Sequence, residues 1–412
     1  MRSPIRLHGP TISGRLRSDP WLLLLIGLVV AVTTALTAAV SPLSERTADR
    51  AVGGVVRDAG TRAAVVATLP REEEDPRGQQ QRDSLSVVKF RQASEYAQFT
   101  LPKRVADVVR PGVASLTTPP LHLLDDGPGR YLRLAYLDTP DGAPAVTYTA
   151  GGPPEASVAA DRADLSVPAG AGAWPVQVAL SDVAAAALGL APGDRLPAED
   201  VQHRTVDIRI SGIFVADDPG VDAWRASPEL LHPVQGVTEG VERVSAAALV
   251  SPEALPDLRL AVPLDDLTHR VVFHPRPERL RWRSSSQLAQ AVVSLKASSG
   301  LARGKVSWDS LLDRVLADGR AQVAAAQGQA QVLLLGLLTC ALLVLAQAAQ
   351  LLVRRRARPV ALARERGAAL SDIGAELLVE AVLVAAAGLL ATWLLSVRWA
   401  GPGRCRASSS RR

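Results

Sequence analysis

Residues 354–381 read RRRARPVALARERGAALSDIGAELLVEA, a short basic segment that leads into an apolar run. Another apolar run, residues 332–353, lies directly before this segment, and the run after it covers about residues 373–397. A helix over 332–353 is about 33 Å long at about 1.5 Å per residue, which spans the roughly 30 Å hydrocarbon core of a bilayer. The pattern predicts two transmembrane helices, joined by a basic link at 354–372.

A third apolar run, residues 21–40, lies near the N-terminus. It is longer than the apolar core of a cleaved signal peptide, which has about 7–15 residues. We therefore expect a retained transmembrane helix, with a signal peptide as the alternative. Four arginines precede the run: Arg2, Arg6, Arg15 and Arg17.

The basic residues cluster beside the apolar runs, whereas the long middle region is mildly acidic, and the net charge of the chain is +5. A nucleic-acid-binding protein would carry its basic residues on a folded domain, so we expect no nucleic-acid partner. Cytoplasmic loops carry the excess of positive charge. This rule places residues 1–20 and 354–372 in the cytoplasm and 41–330 outside, in a multi-pass protein of the plasma membrane. The arginine-bearing tail 398–412 would then lie outside, which conflicts with the rule.

The long region between the first two apolar runs predicts an extracytoplasmic domain over residues 41–308. Alternation and β-branched residues indicate strands at 131–138, 145–150, 176–180, 205–217 and 269–274. Helical patterns cover 44–60, 181–196 and 284–300, the second capped by Ser181 or Asp182 and the third by serine. The polar segment 70–84 predicts a mobile loop. The fold class is therefore an α+β membrane protein with three transmembrane helices and a large mixed α/β extracytoplasmic domain.

No proline interrupts residues 309–353, where apolar residues keep helical spacing up to the membrane. We expect one continuous helix, in which residues 309–331 form a stalk above the bilayer. A stalk fused to a transmembrane helix can carry motion between the two sides of the membrane. The alternative, which the sequence favours equally, is that residues 309–331 are only a spacer.

The sequence contains no convincing catalytic or metal-binding pattern. The segment 300–305, GLARGK, lacks the spacing and the hydroxyl residue of a nucleotide-binding loop. Ser86 and Lys89 match S-x-x-K without its companion motifs, the six histidines are scattered, and Cys340 and Cys405 form no metal or disulfide pattern. We expect no enzyme, no catalytic residue, no metal and no cofactor.

The basic link predicts a short helix at the inner face of the membrane. Pro359 suits the first position of a helix over 359–366, because proline has no N–H that would need a partner there, and Gly367 suits its end. This helix either sets topology by contacting acidic lipid headgroups or forms a contact surface for a partner. In the third apolar run, Glu376 and Glu380 lie one helical turn apart. We interpret them either as functional intramembrane carboxylates or as side chains that snorkel to the membrane interface.

Residues 354–390 resemble the core of FtsX-like/MacB-like ABC permeases of the actinobacterial type. The matching features are the basic stretch, the A-L-x-R-x-x-G-A segment at 361–368 and the pair Glu380–Ala381. Residues 178–196 followed by 206–224 are similar to the family's periplasmic domain, and 41–52 also resembles actinobacterial members.

The resemblance implies a permease subunit that pairs with a separate cytoplasmic ATPase, whose closing moves the link and, through the stalk, the outside domain. The ATPase-coupling candidates are Leu362, Arg364, Glu365, Arg366 and Gly367. Membrane lipid and either a second copy or a second permease half are further expected partners. A membrane-anchored extracytoplasmic sensor or binding module without an ATPase is the alternative function.

The family pattern has a fourth transmembrane helix after the third, whereas this chain continues into the basic tail at 398–412. We expect that residues 398–412 are not native family sequence and that the chain is a truncated or frameshifted permease. An inactive truncated permease is therefore a further alternative.

Overall fold

The structure is a computed structural model, and it describes residues 20–71, 79–124, 129–158, 164–168, 172–238, 241–299 and 306–365, with single positions at 379, 382, 386 and 390. The chain divides into two compact units. One unit is Asp49–Ala321, and the other comprises Met1–Ala48 and Gln322–Arg412.

The described residues form a mixed α/β structure. In chain order, the strands are β1 (Val65–Thr68), β2 (Gln79–Arg82), β3 (Val113–Thr117), β4 (Leu121–Leu123), β5 (Arg130–Asp138), β6 (Val146–Gly151), β7 (Leu165–Pro168), β8 (Pro175–Ser181), β9 (Arg195–Glu199), β10 (Thr205–Ala216), β11 (Val234–Thr238), β12 (Val241–Val250), β13 (Thr268–Phe273) and β14 (Ser307–Ser310). The helices are α1 (Pro20–Ala59), α2 (Ser86–Phe99), α3 (Lys103–Ala106), α4 (Asp182–Leu188), α5 (Asp222–Ala226), α6 (Leu255–Ala261), α7 (Trp282–Ala297) and α8 (Leu312–Glu365).

Twelve of the described strands belong to one sheet, in the order β11-β12-β8-β10-β9-β4-β5-β3-β13-β1-β14, with β6 on β10. Strands β5 and β12 also pair in parallel, from Arg130 opposite Val244 to Tyr136 opposite Val250. This pairing closes a circuit of six strands within the sheet. Strands β2 and β7 form a separate antiparallel ribbon.

One face of the sheet packs on a core of aromatic and small residues. Phe214 and Trp224 stack with ring centroids 5.8 Å apart, and both side chains are buried. Alanines 135, 179 and 247 fill the space around them, and their small side chains let neighbouring elements approach closely. Alternation of buried and exposed residues along β10 places this core on one side of the strand.

The five strands expected from the sequence are confirmed as β5, β6, β8, β10 and β13. The expected cap of α4 is also confirmed, because the Ser181 hydroxyl accepts a hydrogen bond from the Ala184 N–H at 3.2 Å. Gly189 then ends the helix in the left-handed conformation, with φ of +65°.

Three expectations from the sequence are wrong. The serine cap of α7 is wrong, because the helix begins at Trp282 and no side chain of its N-cap residue, Arg281, caps it. The loop over 70–84 contains strand β2, which the partner ribbon strand β7 stabilises. The short helix that was expected to begin at Pro359 is instead part of α8.

Helix α8 continues through Pro359, although proline removes one hydrogen bond to the preceding turn. The flanking alanines, arginines and leucines are strong helix formers, and proline is tolerated inside membrane-associated helices. The helix therefore extends into the basic link as far as Glu365, the last residue of the described segment, without a break at the expected boundary.

Among the described residues, one helix is long and apolar enough to cross a membrane, over Leu312–Arg355. Leucines 333, 335 and 342 in this helix are exposed, which is typical of a lipid-facing surface. A shorter apolar helical segment covers Leu24–Ala35. The third expected transmembrane helix, 373–397, lies almost wholly outside the described residues.

A largely buried histidine gives the domain a predicted sensitivity to acid. His269 stacks on Phe90, with ring centroids 4.1 Å apart, and its Nε2 lies 2.9 Å from the Ser94 hydroxyl. Burial, aided by the positive charge of Arg259, lowers the pKa of His269 to about 4. The unfolded histidine has a pKa of about 6.5, so as the pH falls the unfolded state takes up the proton first. The contribution of neutral His269 to the free energy of unfolding is therefore complete above about pH 6.5, and it is lost progressively as the pH falls toward 4.

We expect His269→Asn to reduce the loss of stability between pH 7 and pH 4.5 by up to about 2.5 kcal/mol, the linkage value of this pKa shift over that pH range. Thermal unfolding of the full chain in detergent at the two pH values measures the effect. His203→Asn is the matched control, because the His203 side chain is 87% exposed. Equal pH dependence in the wild type and the His269 variant would show that another group causes the acid sensitivity.

Candidate functional site

The structure places three of the predicted coupling residues in the last described turn of α8: Leu362, Arg364 and Glu365. The side chains of Leu362 and Glu365 are exposed, so both are available to a partner. The other predicted site residues lie outside the described part of the chain: Arg366, Gly367, Glu376 and Glu380. The predicted coupling surface is therefore described only at its N-terminal half.

The opposite end of α8 is fixed to the folded domain, at a segment that we call the α8 root, residues 310–320. Leu312 and Leu316 are completely buried there. The Ser310 hydroxyl accepts a hydrogen bond from the Leu312 N–H at 3.1 Å and donates one to the Ala64 carbonyl at 3.0 Å. One side chain thus satisfies an N–H of the first helical turn and joins β14 to the chain just before β1.

An ion pair fixes the α8 root to the end of α7. The Lys296 ammonium lies 3.2 Å from both oxygens of the Asp313 carboxylate and donates to the Ser310 carbonyl at 2.9 Å. The two side chains are 29% and 16% exposed, so water screens this pair less than a surface pair. Asp313 also lies in the first turn of α8, where the helix dipole favours negative charge.

A second set of contacts joins three helices, and we call it the helix clasp: Asp49, Trp282 and Arg320. Asp49, on α1, accepts a hydrogen bond from the Trp282 N–H at 2.7 Å and so provides the cap that the serines of α7 do not. Arg320, on α8, places its guanidinium carbon 5.5 Å from the centre of the Trp282 ring, within range of a cation–π interaction. The clasp therefore links the folded parts of α1 and α8 through the start of α7.

Close packing accompanies the clasp at two glycines. A Cβ added to Gly319 would lie 3.5 Å from the Val55 Cβ, which is ordinary van der Waals contact. A Cβ added to Gly53 would lie 3.0 Å from the Pro277 carbonyl oxygen, which is tighter than such contacts normally are. The same substitution is therefore expected to have opposite effects at these two helical positions.

We expect Gly319→Ala to stabilise the domain by about 0.5–1 kcal/mol, because alanine restricts the unfolded chain and Gly319 has room for a methyl group. Gly53→Ala is expected to give no gain or a loss, since its methyl group would press on backbone. Thermal unfolding of the two variants measures the difference. A larger gain at Gly53 than at Gly319 would contradict the packing described here.

Sequence reasoning did not identify the helix clasp. Asp49 and Trp282 are separated by 233 positions, and a single acid on a polar helix face is a usual surface residue. A sequence signal for the α8 root does exist. No proline occurs in 309–353 and Leu312 and Leu316 have helical spacing, and this pattern predicted a continuous helix.

Comparisons with known proteins found no matching family model and no matching curated protein. Among solved structures, one similar chain is a crystal structure of a domain assigned to a permease protein from Porphyromonas gingivalis. It is 15% identical, the match covers 60% of this chain and 89% of that chain, and the TM-score is 0.23. A TM-score of this size carries no argument about the fold or function of the present chain.

Proposed function

We propose that the chain is the membrane permease subunit of an ABC complex, in which α8 couples a separate cytoplasmic ATPase to the Asp49–Ala321 unit. The observation that carries this proposal is the continuity of α8, which is one helix from the buried α8 root through the apolar run to the basic link. A helix without a break transmits displacement along its axis, whereas a flexible linker would absorb it.

The distribution of charge supports the cytoplasmic assignment of the link. Arginines at 354, 355, 356, 358 and 364 lie in the last turns of α8, on the side of an apolar run where cytoplasmic segments carry their positive charge. The resemblance of 361–368 to the corresponding segment of FtsX-like/MacB-like permeases supports a role in contacting the ATPase.

The helix clasp supports a role for the domain in receiving this motion. Because Asp49, Trp282 and Arg320 join α1, α7 and α8, displacement of the α8 root would be shared among three helices. In this proposal the domain receives the motion for export or for transmission of force to an outside partner. In this proposal three transmembrane helices, 21–40, 332–353 and 373–397, form the membrane part.

The test is a double charge reversal, Arg364→Glu with Arg366→Glu, in the full chain. We expect it to abolish association with the ATPase in mild detergent, because two reversed charges replace attraction by repulsion. The matched control is Arg104→Glu with Arg314→Glu, which changes the net charge equally at two exposed arginines of the folded domain. ATPase association that survives the link reversal, or that is lost equally in the control, would overturn the assignment of the link.

A membrane-anchored extracytoplasmic binding module is the second candidate function. The observation that favours it is a cavity of about 210 Å³ within the Asp49–Ala321 unit, lined by three arginines. Normal localisation together with failure to recover any ATPase would favour this function over the permease.

A further inference from the structure

A polar cavity lies on the sheet of the Asp49–Ala321 unit. Its floor consists of residues from the five neighbouring strands β12, β5, β3, β13 and β1, and its other side is the segment 225–229, which includes the end of α5. Small side chains make the space: Ser115 and Thr117 of β3, Ala135 of β5 and Ala247 of β12. The cavity has a volume of about 210 Å³, which is sufficient for a small polar ligand.

Positive charge dominates the lining of this cavity. Arg133, Arg225 and Arg270 line it, and Glu229 is the acidic residue that lines it with them. The shortest distance between Arg133 and Glu229 is 3.6 Å, from Nη1 to Oε1, which is too long for a strong hydrogen bond. Arg270 has no ion-pair partner in the described part of the chain. Arg225 also has an acidic partner, because its Nη1 lies 3.5 Å from Asp222 Oδ1. Arg270 is therefore the arginine of the lining whose charge has no acidic partner among the described residues.

Two buried nitrogen atoms of the lining have no hydrogen-bond partner among the described residues: Arg133 Nε and His274 Nε2. His274 is only 7% exposed. Burial is also the main cause that lowers the pKa of His274. Because buried polar groups nearly always have a partner, these two atoms give the cavity two polar groups that a ligand can contact.

Hydroxyls also line the cavity. Those of Thr61, Ser115 and Ser227 can donate to an oxygen atom of a ligand, whereas the Thr117 hydroxyl donates to the Thr268 carbonyl at 3.5 Å. A carboxylate carries one negative charge, whereas a phosphate monoester carries about −1.5 to −2 at neutral pH and offers three acceptor oxygens. The number of donors in the lining therefore matches the three acceptor oxygens of a phosphate group better than the two oxygens of a carboxylate.

We propose that this cavity binds the phosphate group of a phosphate monoester, held by Arg133, Arg225 and Arg270 and contacted by His274. A planar guanidinium group binds phosphate through two parallel N–H···O hydrogen bonds. The small residues of β3, β5 and β12 leave room for the phosphate group above the sheet. The cavity shares Thr61, Arg225 and His274 with an adjoining cavity of about 590 Å³, which provides space for the rest of the ligand. This proposal does not depend on an ATPase and stands whether the chain is a permease or a binding module.

The experiment is calorimetric titration of the full chain in nanodiscs with two probes, and each probe represents one source of the phosphate group. Glycerol phosphate represents a soluble ligand. Vesicles that contain phosphatidic acid represent a lipid headgroup, and they are added to the chain in nanodiscs whose lipids carry no phosphate monoester. Arg270→Gln and Arg225→Gln are the test variants. Arg270 is exposed and unpaired among the described residues, so its replacement should not disturb folding. Arg104→Gln is the control, because it removes the same charge from an exposed position outside the cavity.

We expect saturable binding of at least one probe, weakened roughly tenfold or more in each test variant and unchanged in Arg104→Gln. The probe that binds identifies the source of the phosphate group. Binding of neither probe would overturn the proposal, and so would equal binding by the wild type and both test variants.

Discussion

Leu316→Ala is expected to destabilise the Asp49–Ala321 unit by about 2–5 kcal/mol, the range for truncating a fully buried leucine. Leu316 is 0% exposed and lies one helical turn after Leu312, which is also 0% exposed. Removing its side chain leaves a cavity at the position where α8 joins the domain. Because each kcal/mol lowers the melting temperature of a unit this large by roughly 2–4 °C, we expect a fall of roughly 4–20 °C.

The matched control is Leu311→Ala, because Leu311 is a neighbour of the same type whose side chain is 40% exposed. Thermal unfolding of the full chain in detergent, followed by circular dichroism, compares the two variants with the wild type. We expect Leu311→Ala to change stability by about 0.5 kcal/mol or less. Equal effects of the two substitutions would contradict the buried attachment of α8.

Asp257→Ala is expected to cost about 3–5 kcal/mol, because it removes one partner of a buried ion pair. The Asp257 carboxylate is 0% exposed and accepts from Arg82 Nε at 2.6 Å, from the Ser157 N–H at 2.7 Å and from Trp174 Nε1 at 3.3 Å. The Arg82 side chain is itself only 4% exposed. The substitution takes away a carboxylate that joins the β2–β7 ribbon to helix α6.

Two further variants distinguish a charge effect from a general loss of packing. Asp265→Ala removes an acid at an exposed position eight residues after Asp257, and it is expected to change stability by about 0.5 kcal/mol or less. The double variant Arg82→Met with Asp257→Leu removes both charges and is expected to recover most of the stability lost in Asp257→Ala. Chemical denaturation of the full chain provides the three values. A double variant no more stable than Asp257→Ala would contradict the ion-pair explanation.

The sequence predicted those parts of the fold that depend on local patterns. The five strands and helix α4 follow from alternation, β-branched residues and the Ser181 cap, and each needs information from only a few neighbouring residues. The long helix α8 follows from the lack of proline in 309–353. Its extension through Pro359 did not follow, because the local rule treats proline as a helix start whereas strong helix formers on both sides continue the helix.

The parts that the sequence did not predict depend on contacts between distant residues. Asp257 resembles a usual acidic residue in the first turn of a helix, and its partner Arg82 lies 175 positions away. Asp49 and Trp282 of the helix clasp are related in the same way. The polar cavity combines residues of β1, β3, β5, β12 and β13, which strand pairing brings together, with the segment 225–229, and no single segment contains its three arginines.

The central claim is that α8 connects the folded domain to a surface that contacts a separate ATPase. The most direct measurement is a mild-detergent pull-down of the tagged full chain from its native host, with its partners identified by mass spectrometry. We expect recovery of a separate chain that contains a G-x-x-x-x-G-K-[ST] nucleotide-binding loop. Recovery of well-folded protein without any such chain would contradict the claim.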